Sequence, residues 1–167
     1  MPDTAEIAAK FWKALKSDRT VLLGLPEVEG GHARPMTALF EAENAADGPR
    51  DGALWVFASK DNGMVEQVGA GARASLGFAS KGHEVWASLT GRLELSNDRR
   101  MIDRLWNPWV AAWYEGGKDD PKLQLLRFDP DHAEVWLDEH SLLAGVKLLL
   151  GRDPKQDYRD KVAEIPV

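Results

Sequence analysis

Two short segments carry residue types suited to holding an anion. In Ser59-Lys60-Asp61-Asn62-Gly63, Lys60 supplies a point charge, and Ser59 and Asn62 add hydrogen-bonding side chains. The segment lies between a strand-like run and a helix start, where backbone N–H groups face outward. A capped helix with a surface lysine is the plainer account of the same residues. The second segment is Arg34-Pro35-Met36-Thr37. An arginine inside a strand faces solvent or a paired anion, and Pro35 leaves a ladder position open, so neighbouring backbone is free for a ligand. A third group is aromatic. The chain has seven tryptophans against two tyrosines, and Trp106, Trp109 and Trp113 fall close together. Their near-helical spacing suits a packed core stripe. A planar ligand or a subunit interface would use the same indoles.

Other chemistries find less support. His32, His83, His132 and His140 form no i, i+4 pair. His132 and His140 flank Asp131, Asp138 and Glu139, which read as solvated acids around a hairpin, so no metal is expected. No Gly-x-Ser-x-Gly motif occurs, and Ser88 and Ser141 sit in ordinary strand and cap settings. Gly63, Gly69 and Gly71 make neither a Walker loop nor a dinucleotide fingerprint. No acid–base residue stands out, and no catalytic residue is assigned.

Composition narrows the classes further. The absence of cysteine removes disulfides, thiol catalysis, iron–sulfur clusters and thiolate zinc, and fits a reducing cytoplasm. A net charge of −6 with no basic stripe gives no reason to expect nucleic acid. The first sixteen residues lack the apolar core of a signal peptide. The apolar run Leu142–Leu150, broken by Gly145 and Lys147, is too short to span a bilayer.

The elements that must position these residues follow from periodicity. Asp3 and Glu6 have capping-box spacing, and Ile7, Phe11 and Leu15 then recur every four residues, which predicts an amphipathic helix to Ser17–Asp18. Strands are predicted at Thr20–Leu25, His32–Glu41, Ala53–Ala58, Ala74–Ala79 and Glu84–Leu95, with Gly91 marking a bulge or close backbone approach. Asn62 caps a short helix ending at Gly69 or Gly71, and Asn97 or Asp98 caps another through Trp106, where Asn107-Pro108 breaks it. Leu123–Phe128 and Ala133–Leu137 read as a hairpin around Asp129-Pro130-Asp131. Ser141–Leu150 reads as a helix. One domain over 1–150 and a polar, mobile tail over 151–167 are expected. Strands follow one another across short turns, without long βαβ crossovers, so a parallel doubly wound sheet is disfavoured and an antiparallel barrel with flanking helices is expected.

In order along the chain, Arg34-Pro35-Met36, Leu54-Trp55-Val56-Phe57 running on to Val65-Glu66-Gln67-Val68, and Val85–Leu95 with Thr90-Gly91 form a recognisable set. So do Leu105-Trp106-Asn107-Pro108, Ala112-Trp113, Gly116-Gly117-Lys118-Asp119-Asp120-Pro121 and Glu134-Val135-Trp136. The set resembles the general stress proteins of the pyridoxamine 5′-phosphate oxidase-like, FMN-binding split-barrel superfamily. The resemblance implies a mainly β (α+β) fold, an antiparallel six-stranded split barrel, working as a homodimer with flavin at the subunit interface. By position, Arg34, Pro35 and Met36 would line the flavin from one side, and Phe57, Ala58 and Ser59 would follow its ring and ribityl chain. Lys60 would meet the phosphate, and Trp136 would match the tryptophan that oxidase relatives bring to the other subunit's flavin. Trp109, in the Trp106–Trp113 stretch, joins the expected cofactor contacts as a planar group.

Two departures from the oxidases shape the expected function. Gly63 and Met64 stand where those relatives hold basic phosphate ligands, leaving Lys60 to compensate; without that compensation riboflavin, or no flavin, is expected in place of FMN, and FAD is a further candidate. Leu137-Asp138-Glu139-His140-Ser141 stands where they carry a basic substrate motif, so pyridoxamine phosphate oxidation is not expected. The expectation is therefore a cytoplasmic flavin-binding or flavin-buffering stress protein. The alternative is an FMN-dependent oxidoreductase that uses a reduced nicotinamide.

Overall fold

A computed structural model describes residues 3–138 and 162–167. The predicted Ser141–Leu150 helix, His140 and most of the expected tail lie outside the described residues. The first helix, α1 (Thr4–Asp18), begins as its sequence dictates. The Glu6 backbone N–H donates to the Asp3 carboxylate at 2.8 Å, and the Asp3 N–H donates back to the Glu6 carboxylate at 3.2 Å. Ile7, Phe11, Trp12 and Leu15 form its buried face.

Seven strands are described: β1 (Thr20–Gly24), β2 (Arg34–Thr37), β3 (Leu54–Ser59), β4 (Ala72–Ala79), β5 (Val85–Ser96), β6 (Leu123–Leu137) and β7 (Val162–Glu164). Every pairing among them is antiparallel, in the order β2-β1-β4-β5-β6-β3, with β7 added to β6. The two ends of the sheet are joined by one bridge, where Leu39 and Trp55 exchange N–H···O bonds of 2.7 and 2.8 Å. The sheet thus curls without closing, as a split barrel does. Short helices flank it: α2 (Gly63–Val68), α3 (Arg99–Leu105) and α4 (Pro108–Ala111), capped by the side chains of Asn62, Asp98 and Asn107. No described helix is long and apolar enough to cross a membrane.

The barrel interior holds Leu23, Leu54, Leu76, Leu89, Leu93, Leu126 and Phe128, with α1 packed against it. Fully burying each such side chain contributes roughly 1.5–3 kcal/mol before the cost of ordering the chain. A second cluster lies outside the barrel, where α3 and α4 cover Trp55 of β3 and Leu123 and Leu125 of β6.

Three expectations need correction. The expected hairpin at 123–137 is one fifteen-residue strand. Asp129-Pro130-Asp131, though composed like a turn, forms a bulge against Thr90/Gly91, where the β5–β6 register shifts. Gly91 is required there, because a Cβ on it would lie 2.2 Å from the Asp129 carbonyl oxygen. The expected strand His32–Glu41 shrinks to β2, because Ala38–Phe40 leave β1 to reach β3. The polar tail is not free at its end: Val162–Glu164 pair with Trp136–Glu134, and Ile165 is buried in the barrel core. That docking adds a strand to the six expected.

Candidate functional site

The strand carrying Arg34 and the turn after β3 are far apart in sequence and meet in space. Arg34 Nη1 donates to Asn62 Oδ1 at 2.5 Å. The same oxygen accepts the Met64 backbone N–H at 2.9 Å, as the cap of α2. Asn62 therefore joins β2 to the helix start and holds a guanidinium there. Around it, Ser59 Oγ donates to the Asp61 carboxylate, and the Lys60 backbone N–H donates to the Lys122 carbonyl at 2.8 Å. That last bond sets Lys122, which sequence reasoning did not single out, beside Lys60. Both lysines are exposed. Met64 is buried in the barrel core, so its position does not present a side chain to this turn. α2 is only six residues long, and Asn62 already occupies one of its free N–H groups, so charge here comes from side chains more than from the helix end.

β3 alternates as a strand must. Leu54, Val56 and Ala58 join the barrel core, while Trp55 and Phe57 join the outer cluster. Phe57 meets Trp106 edge-on, with ring centroids 5.8 Å apart, and Trp106 in turn packs on Tyr114 at 6.1 Å. Tyr114 is a second residue the sequence did not reveal. Its hydroxyl donates to the Ala58 carbonyl at 2.7 Å, fixing the end of β3. Burial, and then the negative charge of Asp120, push its pKa up to about 12, so it is a neutral donor at physiological pH. Asp120 accepts the backbone N–H groups of Gly116 and Lys122, each at 2.9 Å. Those bonds, the Gly116 one foremost, hold its carboxyl below the usual range and shape the Gly-Gly-Lys-Asp-Asp-Pro loop that delivers Lys122.

The expected contacts divide into those brought together and those left apart. Arg34, Ser59 and Lys60 gather around Asn62, with Ala58 and Phe57 leading up to them on β3. Pro35 is exposed and Met36 half-buried on β2. Of the three clustered tryptophans only Trp106 packs. Trp109 and Trp113 are 81% and 85% exposed, which overturns a core stripe and leaves two indoles facing outward. Trp136 sits on the part of β6 beyond its pairing with β3, directly opposite Trp86 of β5. Trp86 is itself partly exposed, with the His83 ring stacked on it at 5.7 Å. Two hollows lie away from the Arg34–Lys60 turn. One, of about 740 Å³, runs between α1 and the β4–β5 turn, and the other, of about 230 Å³, lies at the end of α1. No group of His, Asp and Glu among the described residues is arranged to hold a metal.

Comparisons with known proteins bear on the chain as a whole. A general stress family protein of Xanthomonas campestris pv. campestris is 58% identical, over 87% of this chain and 96% of that one, with a TM-score of 0.76. The general stress FMN/FAD binding protein of Xanthomonas citri is also 58% identical, over 84% and 94%, with a TM-score of 0.74. A general stress protein 26 from a Jannaschia species is 27% identical over 99% and 100%, at 0.78. General stress protein 26 of Bacillus subtilis is 26% identical over 61 residues, which are 36% of this chain and 43% of that protein. The match thus spans less than half the length of that curated relative. Residues 6–152 match the family described as pyridoxamine 5′-phosphate oxidase like. With an open antiparallel barrel and general stress proteins as its structural neighbours, the chain belongs to that family.

Proposed function

We propose that this protein binds FMN at an interface between two copies of the chain, and that it holds or buffers flavin rather than oxidising pyridoxamine phosphate. The observation that carries the reading is the meeting of Arg34 with the Ser59–Asn62 turn through Asn62. A phosphate needs a positive, hydrogen-bonding cradle, and this turn gathers Arg34, Lys60 and Lys122 with the polar groups of Ser59 and Asn62. The fit does not depend on Gly63 or Met64. The flavin-binding Xanthomonas citri relative supports the reading by its 58% identity.

In this assignment Lys60 and Arg34 hold the phosphate, and Ser59 exchanges its bond to Asp61 for one to a phosphate oxygen. Pro35, Met36, Phe57 and Ala58 flank the rest of the cofactor. Trp109, exposed, and Trp136, beside the partly exposed Trp86, are offered to the second copy. A bound flavin supplies hydride or electron transfer, and the chain contributes position and charge. The residues after Trp136, Leu137-Asp138, bring no cation for a phosphorylated substrate. The proposed homodimer and cytoplasmic setting belong to the same reading.

The test is the visible spectrum of purified protein mixed with FMN, followed by NADH or NADPH, alongside light scattering. A retained flavin spectrum that neither nucleotide bleaches, on a particle of dimer mass, is the expected result. Bleaching by a nicotinamide establishes the oxidoreductase instead. Failure to retain FMN, riboflavin or FAD at micromolar concentration overturns the proposal.

A further inference from the structure

The structure assigns to this chain a second anion-binding hollow, separate from the Arg34–Lys60 turn. It lies where the end of α1, the segment leaving β2 and the α3–α4 corner meet, and it takes a compact oxyanion, a carboxylate or a phosphate monoester with an apolar flank. The assignment does not depend on the flavin reading. The hollow measures about 230 Å³, room for roughly eight waters at ~30 Å³ each, and so for a small organic anion rather than a nucleotide.

Its charge is unbalanced. Lys16, Arg19 and Arg104 line it against a single carboxylate, Glu41. Arg104 already grips that carboxylate with both arms, Nε at 3.1 Å from one oxygen and Nη2 on the other. Among the described residues, no other carboxylate lines the hollow to answer Lys16 and Arg19. Lys16 Nζ donates to the Phe40 carbonyl at 2.6 Å and lies 4.9 Å from that ring's centroid, keeping further donors. Burial and then the neighbouring Arg19 lower the Lys16 pKa, as expected for like charges crowded at a partly desolvated site.

The backbone is also unusual at this point. Arg19 caps α1 at φ 61°, a left-handed position where glycine is the easy residue. The guanidinium is nevertheless kept there, tied by its Nε to the Lys16 carbonyl at 3.1 Å, while the Arg19 carbonyl accepts the Ala38 N–H at 2.8 Å. Like-charge crowding and an unfavourable cap meet in one half-enclosed space. Two local rules broken together mark a site better than either alone. The apolar wall comes from Leu39, Phe40 and Leu105, all buried, and from Trp106. The rival account is that these cations serve only the carbonyl ends of α1 and α3. It predicts no saturable anion binding.

The experiment is a two-dimensional amide NMR titration of the full chain with inorganic phosphate and, separately, succinate, at constant ionic strength. Saturable shifts of the Leu39 and Phe40 amides and the Trp106 indole N–H are expected in the millimolar range. Saturation by phosphate alone assigns a phosphate monoester, and saturation by succinate assigns a carboxylate. Arg19→Gly removes the charge while relieving the backbone, so it should weaken binding by about tenfold or more without lowering the melting temperature. Lys60→Ala, at the other turn, should leave these shifts unchanged. Shifts that grow linearly and match sodium chloride overturn the proposal. So does binding that survives Arg19→Gly but is lost in Lys60→Ala.

Discussion

The two faces of β3 are finished to different degrees. Inward, Leu54 and Val56 are fully buried and Ala58 nearly so, in the barrel core. Outward, cover thins along the strand. Trp55 is buried under α3, its indole N–H donates to Asp51 at 3.2 Å, and Arg127 lies over its ring. Phe57 is half-buried beside Trp106, Ser59 is half-open, and Lys60 is exposed. The inner face is settled by packing alone. The outer face is left unfinished where a ligand and a second subunit are proposed to complete it.

The largest effect expected is on the inner face. Phe128, fully buried and paired in register with Leu54, should cost about 3–5 kcal/mol on truncation to alanine, measured by urea unfolding. Phe57→Ala, on the outer face, should cost about 1–2 kcal/mol because part of that ring stays wet. Equal losses would erase the distinction between the faces.

Tyr114 joins the two faces, and its loss comes next in size. Tyr114→Phe removes the hydroxyl's bond to the Ala58 carbonyl, which keeps its place in the β3–β6 ladder, and should cost about 0.5–1.5 kcal/mol. Its pKa is raised to about 12 in the fold. The unfolded chain therefore gives up that proton first, near pH 10. The stability Tyr114 contributes is fully present below pH 10 and declines as pH rises toward 12. Urea midpoints at pH 9 and 11 should show this decline in the wild type, and a smaller one in Tyr114→Phe.

Lys60→Ala should move stability by no more than about 0.5 kcal/mol. It should weaken FMN by about tenfold to a hundredfold, since a charged contact to phosphate is worth one to two decades. Riboflavin, which lacks the phosphate, should be indifferent. Paired fluorescence titrations decide it, and equal weakening of both flavins would move the phosphate elsewhere.

The smallest change in protomer stability belongs to the double substitution Trp109→Ser, Trp113→Ser, also within about 0.5 kcal/mol, because both rings already face water. Light scattering should nonetheless show the proposed dimer weakened. An unaltered dimer would remove these indoles from the interface.

Where a structural signal was local, it was legible. The Asp3/Glu6 box and the caps at Asn62 and Asp98 act within one turn and formed as read. Gly91 announced a close approach, which its missing Cβ permits. Asp129-Pro130-Asp131 misled because a bulge and a turn draw on the same residues, and only a long β5 partner separates them. The tryptophan spacing misled because periodicity reports a shared face, not whether anything covers it. In the candidate site, Arg34 and Lys60 were visible as charges. The Asn62 bond to Arg34 and the Tyr114 bond to Ala58 were not, since each spans a separation that no local pattern encodes.

The continuity of β6 bears on how the chain is made. β3 is synthesised early, yet apart from the Leu39 bridge its partner is the first half of β6. Until Leu123–Phe128 emerge, a nascent chain carries the apolar run Leu54-Trp55-Val56-Phe57 of β3 without a ladder. The hairpins β1–β2 and β4–β5 can form from neighbouring sequence, but the step that seals both faces of β3 is a late, long-range one. The interval between those two events is when the unpaired apolar run of β3 is exposed to aggregation.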